Sequence, residues 1–357
     1  MTLRRLLLKV HLYAGLATGT FLIVVAFTGS ILAFAPDYDR WLNPSLWNIT
    51  ARHTVVSEQT LIEGLQRRFA GGDPATQIAE IALSGPNTAQ VVTLANGVRV
   101  FVDPYAGTVL GTRRGPTRLE SFLLFVRVLH SGLLAGEWGR LTIDAVTAVV
   151  ALIIIPLGIA LWWNQKRATV SWSSSWKRIN WDLHSATGIY AGGFLLVLAV
   201  SGLFLGSEAP LYLLTRSSPQ PVATIPRSTI PDGTRLQEGM SRPPLDSMLR
   251  AADRALPGAP TFRILLPPRP RSSLQVFKLG PAGVGHSTVY LDQYTGAVIR
   301  VDDFSHAPRA YQAHMIDQAI HMGAVFGLPV RILVALSGLT LVLLAISGTL
   351  IWWRRAV

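Results

Sequence analysis

A chain of 357 residues that is 50% hydrophobic and only 15% charged, with a mean hydropathy of +0.37, departs from soluble domains, in which about a quarter of residues are charged. The 32 basic and 20 acidic side chains leave a net charge of +12, but a nucleic-acid reading needs a basic face, whereas the charge here shows a membrane-side asymmetry, with short segments beside apolar runs that carry cations and no acids. The absence of cysteine excludes disulfides, iron–sulfur clusters, thiolate zinc and Cys-x-x-Cys-His haem attachment, so any metal or haem falls to His, Met, Tyr or carboxylates.

In chain order, the first element is an apolar run, Leu12–Ala35, long enough to cross a hydrocarbon core of about 30 Å. Arg4-Arg5 before it and Ala33-Phe34-Ala35 at its end also fit a cleaved secretory signal, but the length of the run favours a retained span. The next segment has helical periodicity over Ser57–Ala70, then strand patterns at Ile78–Leu83, Gln90–Leu94, Val98–Val102 and Thr108–Leu110, separated by Gly, Pro and Asn turns. A second span, Leu141–Trp163, leads through the basic loop Asn164–Asn180 to a third, Ser185–Leu205. The Pro- and Ser-rich stretch Ser217–Pro244 reads as a linker. A helix over Pro244–Leu256 and strands at Thr261–Leu266, Ser273–Leu279, Ser287–Leu291 and Ala297–Val301 precede the fourth span, Ile332–Trp353.

Three short segments carry cations and no Asp or Glu: the N-terminus (Arg4, Arg5, Lys9), the loop (Lys166, Arg167, Lys177, Arg178) and the tail (Arg354, Arg355). The positive-inside rule assigns them to the cytoplasm and the two long connections to the outside. Trp162-Trp163 and Trp352-Trp353 fit the aromatic belt of the inner interface.

The two halves repeat. His11, Gly15, Gly19 and Gly29 follow the spacing H-x3-G-x3-G-x9-G, and His184, Gly188, Gly192 and Gly202 follow it without a shift. His130 and His321 each precede Gly at +2, Gly at +6 and Arg at +10, namely Arg140 and Arg331. The turns Asp103-Pro104-Tyr105-Ala106-Gly107 and Asp292-Gln293-Tyr294-Thr295-Gly296 match as well, as folding signals rather than catalytic groups. The expected fold is a membrane α-helical one, a four-span bundle built from a tandem parallel repeat with two α+β outer domains. Its parts are a first span at 1–35, an outer domain at 36–118, an interfacial helix and second span at 119–163 and an inner loop at 164–182. A third span at 183–206, a second outer domain at 207–308 and an interfacial helix with the fourth span at 309–357 complete it.

The symmetry pairs His11 with His184 near the inner face and His130 with His321 near the outer one. Each pair offers two axial imidazoles, the ligand set of a six-coordinate b haem, and two histidines are too few for a closed zinc site. Gly15, Gly19, Gly188 and Gly192 clear a helix face beside the inner pair, since i, i+4 and i+8 stack. The same glycines also suit close small-xxx-small helix packing. Arg140 and Arg331 fit haem propionates, or equally a snorkelling role. Around His314, Arg309 and Tyr311 suit a substrate approaching the outer haem, and His314 competes with His321 as its ligand. Copper at the His-Met pairs 314–315 and 321–322 is the weaker reading beside simple packing.

The four spans, the His-headed glycine pattern, the twin Asp-x-Tyr-x-Gly-x-Val turns and the terminal Trp-Trp-Arg-Arg resemble the PepSY-associated transmembrane proteins of bacterial inner membranes, over essentially the whole chain. Within that family the chain is similar to the ferric-siderophore reductases. The resemblance implies two PepSY-like periplasmic domains, a bundle holding two b haems, and electrons passing from a cytoplasmic or quinol donor to a ferric siderophore in the periplasm. Because no Gly-x-Gly-x-x-Gly follows a strand, the donor is expected to be another protein or a quinol in the bilayer. Two other classes compete: a non-catalytic peptide-binding or protease-regulating membrane protein, and an iron-chelate transporter.

Overall fold

The computed structural model describes residues 2–69, 77–163, 166, 168–207, 209–217, 224–229 and 243–356. Most of the expected linker Ser217–Pro244 lies outside them, as do Ala70, Asn164 and Arg167.

The first half of the chain contains α1 (Leu3–Leu32), α2 (Ala35–Leu42), α3 (Pro44–Trp47), α4 (Glu58–Phe69), β1 (Ile78–Ala82), β2 (Gln90–Leu94), β3 (Val98–Val102), β4 (Val109–Arg114), α5 (Arg118–Gly132), α6 (Gly136–Val149) and α7 (Ile155–Trp163). The second contains α8 (Trp176–Gly206), α9 (Ala209–Thr215), α10 (Leu245–Ala255), β5 (Thr261–Leu265), β6 (Leu274–Leu279), β7 (His286–Leu291), β8 (Val298–Asp302), α11 (Arg309–His321) and α12 (Leu328–Ala356). They divide into a helical unit (1–35, 118–217, 313–357) and a sheet unit (36–117, 218–312).

In the helical unit, four described helices are long and apolar enough to cross a bilayer: Leu3–Leu32, Gly136–Trp163, Trp176–Gly206 and Leu328–Trp353. The first and third start well before the apolar runs read from sequence. Leu, Lys and Arg are good helix formers, and long cationic side chains reach past the apolar zone to water, so charge does not end a helix. His11 and His184 therefore stand inside their helices, not at their heads. The second span slips by one residue in a single π turn, Val150–Ile154, between α6 and α7, where the Ile155 N–H donates to the Val150 carbonyl. Pro156 explains the slip, since it has no N–H and collides with the carbonyl one turn back. Leu22, Val146, Val150, Ile155 and Leu195 form the core between the helices. Breaks before α6 and α12 place Gly136 at φ +56° and Gly327 at φ +67°, the left-handed region that glycine enters freely.

The sheet unit holds one antiparallel eight-stranded sheet in the order β4-β3-β2-β1-β5-β6-β7-β8. The segments before and after the second and third spans thus contribute four strands each. They join where β1 meets β5, with Glu80 opposite Leu265, Ile81 opposite Ile264 and Ala82 opposite Arg263. Alternation puts Ile81, Val92, Val100, Ile264, Val276 and Val289 on one face, against Leu61, Ile62 and Leu65 of α4 and Leu245, Met248 and Ala252 of α10. The strand expected at Thr108–Leu110 runs on to Arg114. Arg113 allows this by bonding Asp39 at 2.8 Å and lying 5.1 Å over the Phe101 ring. The two Asp turns have the same bonds. Asp103 Oδ1 accepts from the N–H groups of Tyr105 and Ala106, and Asp292 Oδ1 from those of Tyr294 and Thr295. Burial alone would raise the Asp292 pKa, but these donors and the Thr229 N–H outweigh it and hold the carboxyl below its ordinary value. Lys278, 1% exposed, spends its ammonium on Asp253 at 2.6 Å and the Ala259 carbonyl at 2.7 Å.

Candidate functional site: two histidine pairs in the helical unit

The structure brings together the histidines that the matched spacings paired. The ring centres of His11 on α1 and His184 on α8 lie 6.3 Å apart. Those of His130 on α5 and His321 on α11 lie 6.4 Å apart. Two imidazoles sharing one metal ion through nitrogens at about 2.0 Å each hold their ring centres about 6 Å apart.

Each ring is oriented from behind. His11 Nδ1 donates to the Ile154 carbonyl at 3.1 Å, and His130 Nδ1 to the Val25 carbonyl at 2.9 Å. A carbonyl only accepts, so the proton of these two rings is on Nδ1. His184 Nδ1 meets the Ser347 hydroxyl at 2.9 Å and His321 Nδ1 the Ser201 hydroxyl at 2.8 Å. In all four the engaged nitrogen is Nδ1, which leaves Nε2 to act as ligand. A ligating histidine usually donates its other N–H in this way, to carbonyls among other partners.

Each ring also lies against a glycine of a neighbouring helix. A Cβ placed on Gly158, Gly202 or Gly348 would come 3.2 Å from Cε1 of His11, His321 or His184 respectively, and one on Gly29 would come 2.9 Å from that of His130. Sequence reading caught Gly29 and Gly202 only as part of a spacing and missed Gly158 and Gly348 altogether. A signal was present for three of them: Thr28-Gly29, Ser201-Gly202 and Ser347-Gly348 are hydroxyl-glycine pairs on the spans. The fourth, Leu157-Gly158, lacks the hydroxyl.

The expected glycine face is open rather than packed. A Cβ on Gly15 or Gly19 meets nothing within 4 Å, and one on Gly188 or Gly192 meets only a leucine or isoleucine side-chain tip, Leu344 at 3.7 Å and Ile159 at 3.8 Å. Close small-xxx-small packing would bring helix backbone into that space. A cavity of about 200 Å³ occupies it instead, lined by His11, His184, Gly15, Gly188, Gly192 and Trp181 with mainly apolar neighbours. Among the described residues no three His, Cys, Asp or Glu side chains converge as a metal centre. The donor set of each pair, two imidazoles, and beside the inner pair the room without side chains, fit a macrocycle that brings four nitrogens of its own.

The arginines are engaged within the protein. Arg140 donates to the Gly206 carbonyl at 2.8 Å and to Asp144 at 3.1 Å, and Arg331 to the Ala33 carbonyl at 3.0 Å. Both carbonyls stand at the ends of helices from the opposite half, where a cation complements the helix dipole. Arg309, Tyr311 and His314 all lie on α11. Arg309 is exposed at its start, Tyr311 sets its ring against Phe304, and His314 is half-buried. Three residues on, burial raises the Asp317 carboxyl to about 6, with His314 acting in the opposite direction.

The profile of the PepSY-associated TM region matches residues 8–355. The chain belongs to this family. No curated protein gives a significant match to the chain. Membership accounts for a membrane protein with four apolar helices, and the histidine pairs lie within the matched region.

Proposed function

We propose that the chain is a di-haem b electron conduit of the bacterial inner membrane, a ferric-siderophore reductase. The observation that carries this reading is the pair of histidine couples, 6.3 and 6.4 Å between ring centres, each ring anchored through Nδ1. In this reading His11 and His184 hold one haem and His130 and His321 the other. When bound, b haem supplies one-electron transfer. The protein's part is to fix the four imidazoles, to keep the space beside Gly15, Gly19, Gly188 and Gly192 clear, and to exclude water with apolar walls.

The substrate is an iron(III) chelate. Oxygen-rich siderophores hold hard iron(III) far more tightly than iron(II), so one electron delivered to the metal releases it and no covalent bond of the chelator breaks. We assign Arg309, Tyr311 and His314 to receiving that chelate. The basic N-terminus (Arg4, Arg5, Lys9), loop 164–180 and tail (Arg354, Arg355) support a reading with both termini in the cytoplasm and both long connections in the periplasm. The matched spacings and turns support reading the chain as a tandem parallel repeat with two PepSY-like halves in the sheet unit. Electrons enter from a cytoplasmic protein or a quinol.

A pyridine haemochrome assay on the purified protein tests this directly. About two b haems per chain are expected, with reoxidation of the dithionite-reduced protein by ferric siderophore under anaerobic conditions. A protein from haem-replete cells that carries none overturns the reading.

A further inference from the structure

Behind three of the four histidines stands a side-chain hydroxyl. Thr28 Oγ1 lies 3.2 Å from His130 Nδ1, Ser201 Oγ 2.8 Å from His321 Nδ1 and Ser347 Oγ 2.9 Å from His184 Nδ1. Each hydroxyl has already given its proton to its own helix. Thr28 donates to the Val24 carbonyl at 2.6 Å, Ser201 to that of Leu198 at 3.0 Å and Ser347 to that of Leu344 at 3.2 Å. The oxygens are therefore left as acceptors, and the imidazole must be the donor. This fixes the Nδ1–H tautomer of His184 and His321 as the carbonyls fix it for His11 and His130. The fourth position departs from the pattern. Leu157 stands before Gly158, and His11 has the Ile154 carbonyl alone, presented by the last residue of the π turn.

We propose that Thr28, Ser201 and Ser347 are positioning residues that set the basicity of three of the four imidazoles and make the two pairs electronically unequal. The inference rests on the haem reading above. An acceptor on Nδ1–H raises the electron density that the ring gives to a metal through Nε2, and a more basic ligand favours the oxidised ion. The outer pair has a hydroxyl behind both rings, whereas the inner pair has one behind His184 only. The difference adds to whatever burial and surroundings contribute.

The test is redox titration of the full-length, haem-loaded protein, with haem content and resonance Raman or EPR signatures of the ligands recorded alongside. Ser347→Ala is expected to raise the midpoint potential of one haem, and Ser201→Ala and Thr28→Val that of the other, with haem content retained. Leu157→Ser, which supplies the missing acceptor, is expected to lower the potential of the haem that Ser347→Ala raises. Ser347→Thr keeps the hydroxyl and is expected to leave both potentials at their wild-type values. If haem is bound but no variant moves a potential, or if Ser347→Thr shifts it as far as Ser347→Ala, this inference fails while the haem reading stands. A wild-type protein that binds no haem brings down both. Loss of haem in the alanine variant with retention in the threonine variant supports it.

Discussion

His130 and Gly29 are in direct contact, and a Cβ on that glycine would stand 2.9 Å from the ring. Real Cβ contacts are not that short, so the ring must shift in Gly29→Ala and leave its site in Gly29→Leu. On the proposed haem reading, we expect the latter to lose the outer haem and keep the inner one. Gly15 differs, because its missing side chain faces open space. Gly15→Leu is expected to leave protein yield unchanged, remove the inner haem and, in the haem-free protein, stabilise the helix by up to about 1 kcal/mol, since glycine is a poor helix former. Haem content and thermal melts of the two variants check the contrast; equal haem loss at both haems in both would count against it.

On the proposed haem reading, replacing one of the four histidines should act pairwise. His11→Ala and His184→Ala are each expected to reduce haem from about two per chain to about one, with identical residual spectra. His130→Ala and His321→Ala should leave the other haem. Optical spectra of the four variants give the assignment, and unchanged haem content in all four would exclude these residues as ligands.

Asp317 gives stability a pH dependence. Its carboxyl, ordinarily ionising at 3.8, is raised by burial to about 6. The folded protein thus keeps a proton that the unfolded chain has released, so stability falls as pH rises between 3.8 and about 6 and stays lower above that. Asp317→Asn removes the buried charge. Its melting temperature should exceed wild type at pH 7 and match it below pH 3.8; a gap of constant size across that range would show that the carboxyl does not titrate there.

Lys278 is almost wholly buried, while its partner Asp253 is 61% exposed. Asp253→Ala leaves the ammonium with the Ala259 carbonyl, and we expect a loss of about 1–3 kcal/mol in sheet-unit stability. Lys278→Met, which removes charge and partner need together, is expected to cost less. Chemical denaturation of both variants measures the order, and the reverse order would mean that the aliphatic stem, not the ion pair, holds the site.

Much of this architecture was legible because its signals are periodic. Gln90–Leu94 and Val98–Val102 are rich in strand formers and set apart by the Asn96-Gly97 turn and by Asp103-Pro104, so both ends of each strand could be read to the residue, and the histidine pairing followed from spacing alone. What stayed hidden depends on contacts between distant segments. The seam between β1 and β5 joins residues 78–82 to 261–265, and no local pattern records which edge strand will find which. Gly158 and Gly348 had no histidine nearby in sequence, so their role as seats for His11 and His184 emerged only when the helices were set side by side. Arg140 and Arg331 carry a charge that suits both an anionic ligand and a helix end, and composition does not choose between these.

The β1–β5 seam also orders the making of the protein. When β1 through β4 have been synthesised, β1 is still an open edge, and its partner lies beyond residues 83–260, which include two whole membrane spans. An unpaired edge strand is a template for pairing with other chains. The Arg263–Glu80 ion pair across the seam leaves Glu80 uncompensated until β5 arrives, and a lone charge on an exposed edge discourages the wrong partner. The first half of the sheet therefore waits, its open edge guarded by Glu80, until the second half has been made.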